Sequence, residues 1–375
     1  MHIPDWPVAG DREIELLRSV LAAPQWGGFH PLVSEFEQKF AAYQHCRYGI
    51  AVANGTVSME MAFAVEALGP GDEVIVPAIS FVSTATALSR VGVTPVFVDI
   101  EPYSFNMDPV RVEEAIGPRT KGIVAVHFGG PLANMDALLA IAQRHGIHLY
   151  EDAAHAHGSE WRGQRAGSFG RWGSFSFQNG KVLTAGEGGE IVTNDAGLAQ
   201  KFRNFSNLGR RHDGVSFYHH YTLGTNLRIT GLQAAVLTAQ MERLPAQIAH
   251  RQRAAGILRQ LTADVPGLTW QQVPQEGNVH SHYLLPGRLR SKSRDAFHHH
   301  LQRHGVPCTP FYPHALYGNP LYQAGGCRIM PCPHAEACVQ DAFWLPHRVL
   351  LSDDETLHRV GEVIRSAAHP RADPG

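Results

Sequence analysis

Short apolar runs and longer amphipathic stretches alternate along the chain between residues 48 and 200. The runs "YGIAVANG", "DEVIVPA", "TPVFVDI", "KGIVAVHF" and "IHLYEDAA" are dense in β-branched and aromatic side chains and predict strands. Between them, "TVSMEMAFAVEAL", "FVSTATALSRVG" and "MDALLAIAQRHG" carry apolar positions at helical spacing. Strand, helix, strand, helix predicts an α/β fold whose sheet is mostly parallel and covered on both faces. Farther on, "GSFSFQNG" reads as another strand, and the glycines of "AGEGGEIVTND" turn the chain into one more. From about residue 246 a helical pattern, part of "ERLPAQIAHRQRAAGILRQL", opens a second region of mixed elements. The expected division is a large domain over 1–245, with an N-terminal arm at 1–25, and a small α/β domain over 246–375 that covers the functional site.

Composition narrows the partners. With 375 residues, 44% of them hydrophobic, the chain can bury the cores of a large domain and a smaller one. Thirty-two basic side chains against 34 acidic ones give no bulk attraction to nucleic acid or an anionic membrane, so the expected ligands are small molecules. Five cysteines (Cys46, Cys308, Cys327, Cys332, Cys338) form no CxxC pair and fit a reducing cytoplasm better than a disulfide framework. The start, "MHIPDWPVAGDREIELL", has no signal-peptide pattern, and no apolar run reaches membrane-spanning length. In "FHHHLQRHG", His300 and His304 stand four apart and can clip a metal, though a solvated helix face is the preferred reading.

Ligands of parallel sheets gather beyond the carboxyl ends of the strands. There the sequence places Asn54-Gly55-Thr56, Ser80-Phe81, His127, and Glu151-Asp152 followed by His155 and His157. A glycine at a helix N-terminus suits a phosphate, although the triplet read alone is first of all a turn and a helix cap. Asp152, at a dry strand end, needs a protonated heterocycle, a metal or an arginine. The spacing of Asp152, His155 and His157 admits a metal, but neither an extended nor a helical chain brings the three to one point, so no metal is expected. Lys181 is the one cation of "FSFQNGKVLTAGEGGEIVTND". It is either an exposed hairpin lysine or a buried amine made nucleophilic by a depressed pKa. A phosphate cradle, an aromatic plate, a strand-end aspartate and an amine are together what pyridoxal 5'-phosphate asks of a protein.

The chain resembles the DegT/StrS family of sugar aminotransferases over nearly its whole length, from "WGGFHPLVSEFEQKFAAY" to "WLPHRVLLSDDE". The most specific blocks are "AVANGTVSMEMA", "GPGDEVIVPAISFVSTATA", "PVFVDIEPYSFNMDP", "EDAAHAHGSEWRGQRAGSFG", "SFSFQNGKVLTAGEGGEIVTND" and "GTNLRITGLQAAVL". The resemblance implies a fold-type I, aspartate aminotransferase-like pyridoxal phosphate enzyme. It implies that Lys181 forms the Schiff base and Asp152 pairs with the pyridine nitrogen. His155 would lie by the ring oxygen and Phe81 would stack on the ring. Asn54, Gly55, Thr56 and Ser176 would hold the phosphate, with Asn226 reaching it from a second subunit of a homodimer. Glutamate or glutamine would donate the amino group to a keto-cyclitol or keto-sugar in ping-pong order. Within "CTPFYPHALYGNPLY", Tyr312 and His314 are candidates for touching substrate, or else members of a rigid packed loop.

Two departures bear on this. Asn54-Gly55-Thr56 stands where the family often has Ser-Gly-Thr; with "FQNGK" and "PHRVLL" it is similar to the branch acting on cyclitols and aminohydroxybenzoate precursors. Gly231 stands where an acidic residue is usual. The alternatives are a nucleotide-sugar aminotransferase, a lyase or dehydratase using the same cofactor, and a non-catalytic relative. Lys181 argues against the dehydratases that carry histidine in its place.

Overall fold

Val74, Ile75 and Val76 are fully buried in succession, so the strand they form must be covered on both faces. The computed structural model, which describes residues 1–211, 218–273, 277–290 and 293–368, shows how. Strands β1 (Tyr48–Val52), β2 (Glu73–Pro77), β3 (Thr94–Val98), β4 (Thr120–Val126) and β5 (His148–Asp152) alternate with helices. A small ribbon, β6 (Glu160–Trp161) with β7 (Gln164–Arg165), precedes β8 (Gly173–Ser176) and β9 (Gly189–Thr193). Four strands follow the long helix Gly231–Leu261 at a distance: β10 (Leu268–Trp270), β11 (Leu284–Leu289), β12 (Thr309–Pro310) and β14 (Ala342–Pro346), with β13 (Arg328–Ile329) between the last two.

The main sheet has the order β1-β9-β8-β5-β4-β2-β3-β13. Its pairs from β8 to β13 are parallel, and β9 runs antiparallel to both neighbours. This is the mostly parallel α/β sheet that the alternation predicts. The second sheet, β10-β11-β14-β12, is antiparallel. The helix Gly231–Leu261 runs straight through residues 245 and 246 with Pro245 inside it. It packs on the N-terminal helices Asp11–Ala22 and Pro31–Tyr43 and on the helix Asp354–Ala368. Among the described residues no helix is long and apolar enough to cross a membrane.

The two-residue period of β8 does the positioning. Phe175 and Phe177 turn into the core, edge-on to Phe40 at 4.9 and 5.2 Å. Ser174 and Ser176 therefore face the opposite side, where the cavity lies. Gly231 begins its helix under the chain at 26–30: its N–H donates to Trp26 O at 2.7 Å, and a Cβ would sit 2.8 Å from the Cβ and Cγ of His30. The glycine that departs from the family pattern is therefore fixed by close approach.

Candidate active site

A cavity of about 690 Å³ opens beyond the carboxyl ends of the parallel strands, between the two sheets. After β1, Asn54 caps the helix Gly55–Val65, its Oδ1 accepting the Val57 N–H at 2.9 Å. That leaves the amides of Gly55 and Thr56 in the orphaned first turn, both lining the cavity. Gly55 has no room for a side chain, since a Cβ would meet Ser176 Cβ at 2.9 Å. The helix start and Ser176 thus form one concave wall, with the dipole of the helix favouring an anion.

At the end of β5 the Glu-Asp pair splits by strand alternation. Glu151 turns away and accepts the N–H groups of Gly167, Phe169 and Gly170 at 2.6, 2.8 and 2.7 Å, with His127 Nε2 at 3.1 Å. Asp152, 6% exposed, faces the cavity and accepts a hydrogen bond from Thr84 Oγ1 at 2.6 Å. Lys181 reaches the same cavity from the loop after β8. Its backbone is held from both ends of the chain: Trp6 Nε1–H donates to Lys181 O at 3.0 Å, and His347 Nε2–H donates to Gly180 O at 3.2 Å. The side chain keeps an accessible face toward the cavity, yet the protein around it lowers the amine from its ordinary 10.5 to about 8, with Asp152 acting in the opposite direction. The Lys181 ammonium lies 4.5 Å from the centre of the Tyr283 ring.

His155 accepts the Gly129 N–H at Nδ1, 3.3 Å away, which leaves the proton on Nε2. Burial first, then Lys181, His157 and His127, hold it neutral. A carboxylate, a depressed amine and a helix-start cradle around one cavity fit the pyridine nitrogen, the aldehyde and the phosphate of pyridoxal 5'-phosphate.

Residues 7–365 match the DegT/DnrJ/EryC1/StrS aminotransferase family. The chain belongs to that family. It is similar to the 3-amino-5-hydroxybenzoate synthase of Amycolatopsis mediterranei (strain S699), with 38% identity covering 98% of this chain and 97% of that one. It is also similar to the L-glutamine:2-deoxy-scyllo-inosose aminotransferase of Streptoalloteichus tenebrarius, with 33% identity covering 96% and 93%. A crystal structure of 3-amino-5-hydroxybenzoic acid synthase superposes with a TM-score of 0.93 at 36% identity, covering 98% of both chains. As a member of the DegT/DnrJ/EryC1/StrS aminotransferase family, the protein is a pyridoxal 5'-phosphate-dependent enzyme with the fold-type I architecture.

The family member's remaining candidates divide. Phe81, 57% exposed, stands at the cavity wall after β2. Tyr312 also lines it, its ring 5.4 Å from Trp344 and 6.2 Å from Phe128, and burial pushes its phenol up. His314 lies outside the lining, with Nδ1 3.2 Å from Ala315 O and its ring pressed against Gly318. Asn226 is exposed and bridges to Asn207, away from the cavity of its own chain. His157 turns from His155, donating through Nε2 to Ser176 O at 3.0 Å, among Phe175 and Phe177. His300 and His304 stack at 4.2 Å, with His300 Nε2 2.9 Å from Ser366 Oγ.

The sequence reading missed Thr84, Tyr283 and Trp344. Thr84 had no local signal, since Ser80 lies before the helix Ser83–Arg90 that carries Thr84, and the 2.7 Å between the two hydroxyls follows from the turn that joins them. Tyr283 comes from the turn before β11 and Trp344 from β14, and nothing local in the sequence aims either at the cavity.

Proposed function

We propose that this enzyme transfers an amino group from L-glutamine or L-glutamate to a keto-cyclitol or keto-sugar in the biosynthesis of an aminocyclitol or amino sugar. The observation that carries the reading is Lys181: a lysine amine near pKa 8, in one cavity with Asp152. When bound, pyridoxal 5'-phosphate supplies an aldehyde that condenses with a primary amine and a ring that takes up the electrons of a neighbouring C–H bond. Lys181 Nζ is the amine this chain presents to that aldehyde. With a donor amine in its place, Lys181 Nζ would be the base that carries a proton from the donor's α-carbon across the nitrogen to the carbon on its far side. The Asp152 carboxylate, oriented by Thr84, would hold a proton on the pyridine nitrogen. His155 Nε2–H would be the donor for the ring oxygen, and Phe81 would be the plate for the ring. Asn54, Gly55, Thr56 and Ser176 would cradle the phosphate.

The test is an absorbance spectrum of the purified protein with pyridoxal 5'-phosphate, before and after L-glutamine or L-glutamate, beside Lys181→Ala. A visible band that gives way to the amine form of the cofactor with donor, and fails to do so in the variant, supports the first half-reaction. A band indifferent to both donors overturns it. The second half-reaction is then read by amine formation on keto-cyclitols, free keto-sugars and nucleotide-linked keto-sugars. The similarity to 3-amino-5-hydroxybenzoate synthase favours one alternative: a lyase-type reaction yielding an aromatic amine, recognised by new ultraviolet absorbance without consumption of an amino donor.

The working form in this reading is a homodimer with shared sites. Asn226 is exposed and absent from the lining of its own cavity, and Tyr221 and Leu223, close to it in sequence, are exposed apolar side chains. The division into a cofactor domain at 1–245 and a smaller one at 246–375 belongs to the same proposal. So does a cytoplasmic setting, which five free thiols support.

A further inference from the structure

Arg251 sits in the middle of the helix Gly231–Leu261, and its side chain is fully buried. Burial lowers its pKa to about 9, with Tyr43 acting in the opposite direction, so the guanidinium is charged at neutral pH. A buried charge is expensive, and among the described residues Nη1 and Nη2 find no acceptor. Its bond is Nε–H to Ser281 O at 2.8 Å.

Ser281 is itself fully buried and tied on both sides. Its N–H donates to Ser159 Oγ at 2.9 Å and its Oγ–H to His155 O at 2.8 Å. His282 follows with φ of 48°, in the left-handed region that a side chain disfavours. The turn is pressed against Gly130, where a Cβ would come within 2.6 Å of Ser281 Oγ and 2.9 Å of His282 N. It delivers Tyr283, whose ring lies 4.5 Å from Lys181 Nζ and 4.4 Å from the His155 ring. A strained turn persists only where its surroundings over-determine it, and the charged hydrogen bond from Arg251 is the strongest of those holding this one.

We propose that Arg251 is a positioning residue for amino transfer: by gripping Ser281 O it holds the 281–283 turn and so sets the Tyr283 ring against Lys181 Nζ. The ring face steadies the ammonium form and limits the arc through which Nζ swings. This inference rests on the role given to Lys181 above, and its test separates the two.

In the cofactor-free, full-length protein, reductive methylation with labelled formaldehyde gives Lys181 a dimethylamine signal, assigned by its loss in Lys181→Arg. The Tyr283 ring shifts that signal upfield. Arg251→Met moves it back toward the position of an exposed lysine, Arg251→Lys retains the shift, Tyr283→Phe retains it and Tyr283→Leu abolishes it. With cofactor bound, single-turnover reaction with L-glutamine slows in Arg251→Met on the order of 10- to 100-fold, with the donor's KM little changed, and recovers in Arg251→Lys. Wild-type signal and rate in Arg251→Met, whatever its melting temperature, overturn the proposal. If that variant does not fold, Arg251→Gln takes its place; failure of both to fold assigns Arg251 to stability alone and equally overturns it. A shifted wild-type signal without turnover on either donor refutes the aminotransferase reading and leaves the geometry of the turn to be judged by the variants' signals.

Discussion

Thr84 donates its hydroxyl proton to Asp152 Oδ2 at 2.6 Å, and the Ser80 hydroxyl lies 2.7 Å from the same Thr84 oxygen. A hydroxyl has one proton to give, so Ser80 must be the donor to Thr84, and the pair forms a relay pointing at the carboxylate. The relay fixes which way Asp152 faces. Thr84→Ala should lower kcat about tenfold, the worth of a hydrogen bond to a charged group, while Thr84→Ser retains most of it. Steady-state kinetics with either amino donor checks this. Equal losses in both variants would mean that the methyl group matters and the proton does not.

The amine of Lys181 carries a prediction about pH. Its ordinary value is 10.5, burial brings it to about 8, and Asp152 pulls it upward. Acylation of Lys181 by acetic anhydride, which releases acetate, should therefore be half-maximal near pH 8 in the cofactor-free protein. In Asp152→Asn the anion that favours the ammonium is gone, so the midpoint should fall below 8. A midpoint at or above that of a surface lysine would show that the amine is not desolvated.

Acid should loosen the fold behind the cavity. His157 and His347 are lowered from 6.5 to about 3, burial being the largest cause in both, and each donates Nε2–H to a carbonyl beside the Lys181 loop. The unfolded chain takes up a proton on each below 6.5 and the folded chain does not. Stability contributed by each is thus present above 6.5 and is lost as pH falls toward 3, at about 1.4 kcal/mol per pH unit. Urea unfolding of the cofactor-free protein at pH 7 and pH 5 should show a gap that narrows in His157→Gln and again in His347→Gln. His155 and His282, also depressed by burial, keep the gap from vanishing. An unchanged gap in both variants would refute the assignment.

How far the sequence could be read depends on where each residue's partner lies. The strands β1 to β5 are written in runs of valine, isoleucine and aromatics, because strands buried on both faces need nothing else. Asp152 and Asn54-Gly55-Thr56 were legible for a related reason, since a strand end in a parallel sheet is a fixed address. Thr84 was not, because Ser80 stands before the helix Ser83–Arg90 and the turn between them sets their meeting. Tyr283, Trp344 and Arg251 were not, because their places follow from how the second sheet and the long helix dock, and no local period encodes that. The same holds for β13, two residues from the last third of the chain that complete the edge of the main sheet beside β3.

Gly231 is where a departure from the family pattern becomes a stability prediction. An acidic residue at a helix start is ordinarily favourable, because the N-terminal amides carry partial positive charge. Here that gain, roughly a fraction of a kcal/mol, meets a buried backbone already pressed to its neighbours. A Cβ at 231 would lie 2.8 Å from His30 Cβ and Cγ and 3.2 Å from Trp26 O, and the Gly231 N–H already holds Trp26 O at 2.7 Å. His30 cannot swing aside cheaply, since its Nδ1 caps the helix Pro31–Tyr43 by accepting the Leu32 N–H at 3.2 Å. Steric cost should win over the dipole. Gly231→Glu is expected to destabilise the protein by about 1–3 kcal/mol, the usual penalty for overpacking, and Gly231→Ala by nearly as much because the Cβ is the offending atom. Chemical denaturation of both variants decides the matter. A stabilised Gly231→Glu would mean that the segment at 26–30 yields, and that the glycine reflects history and not close approach.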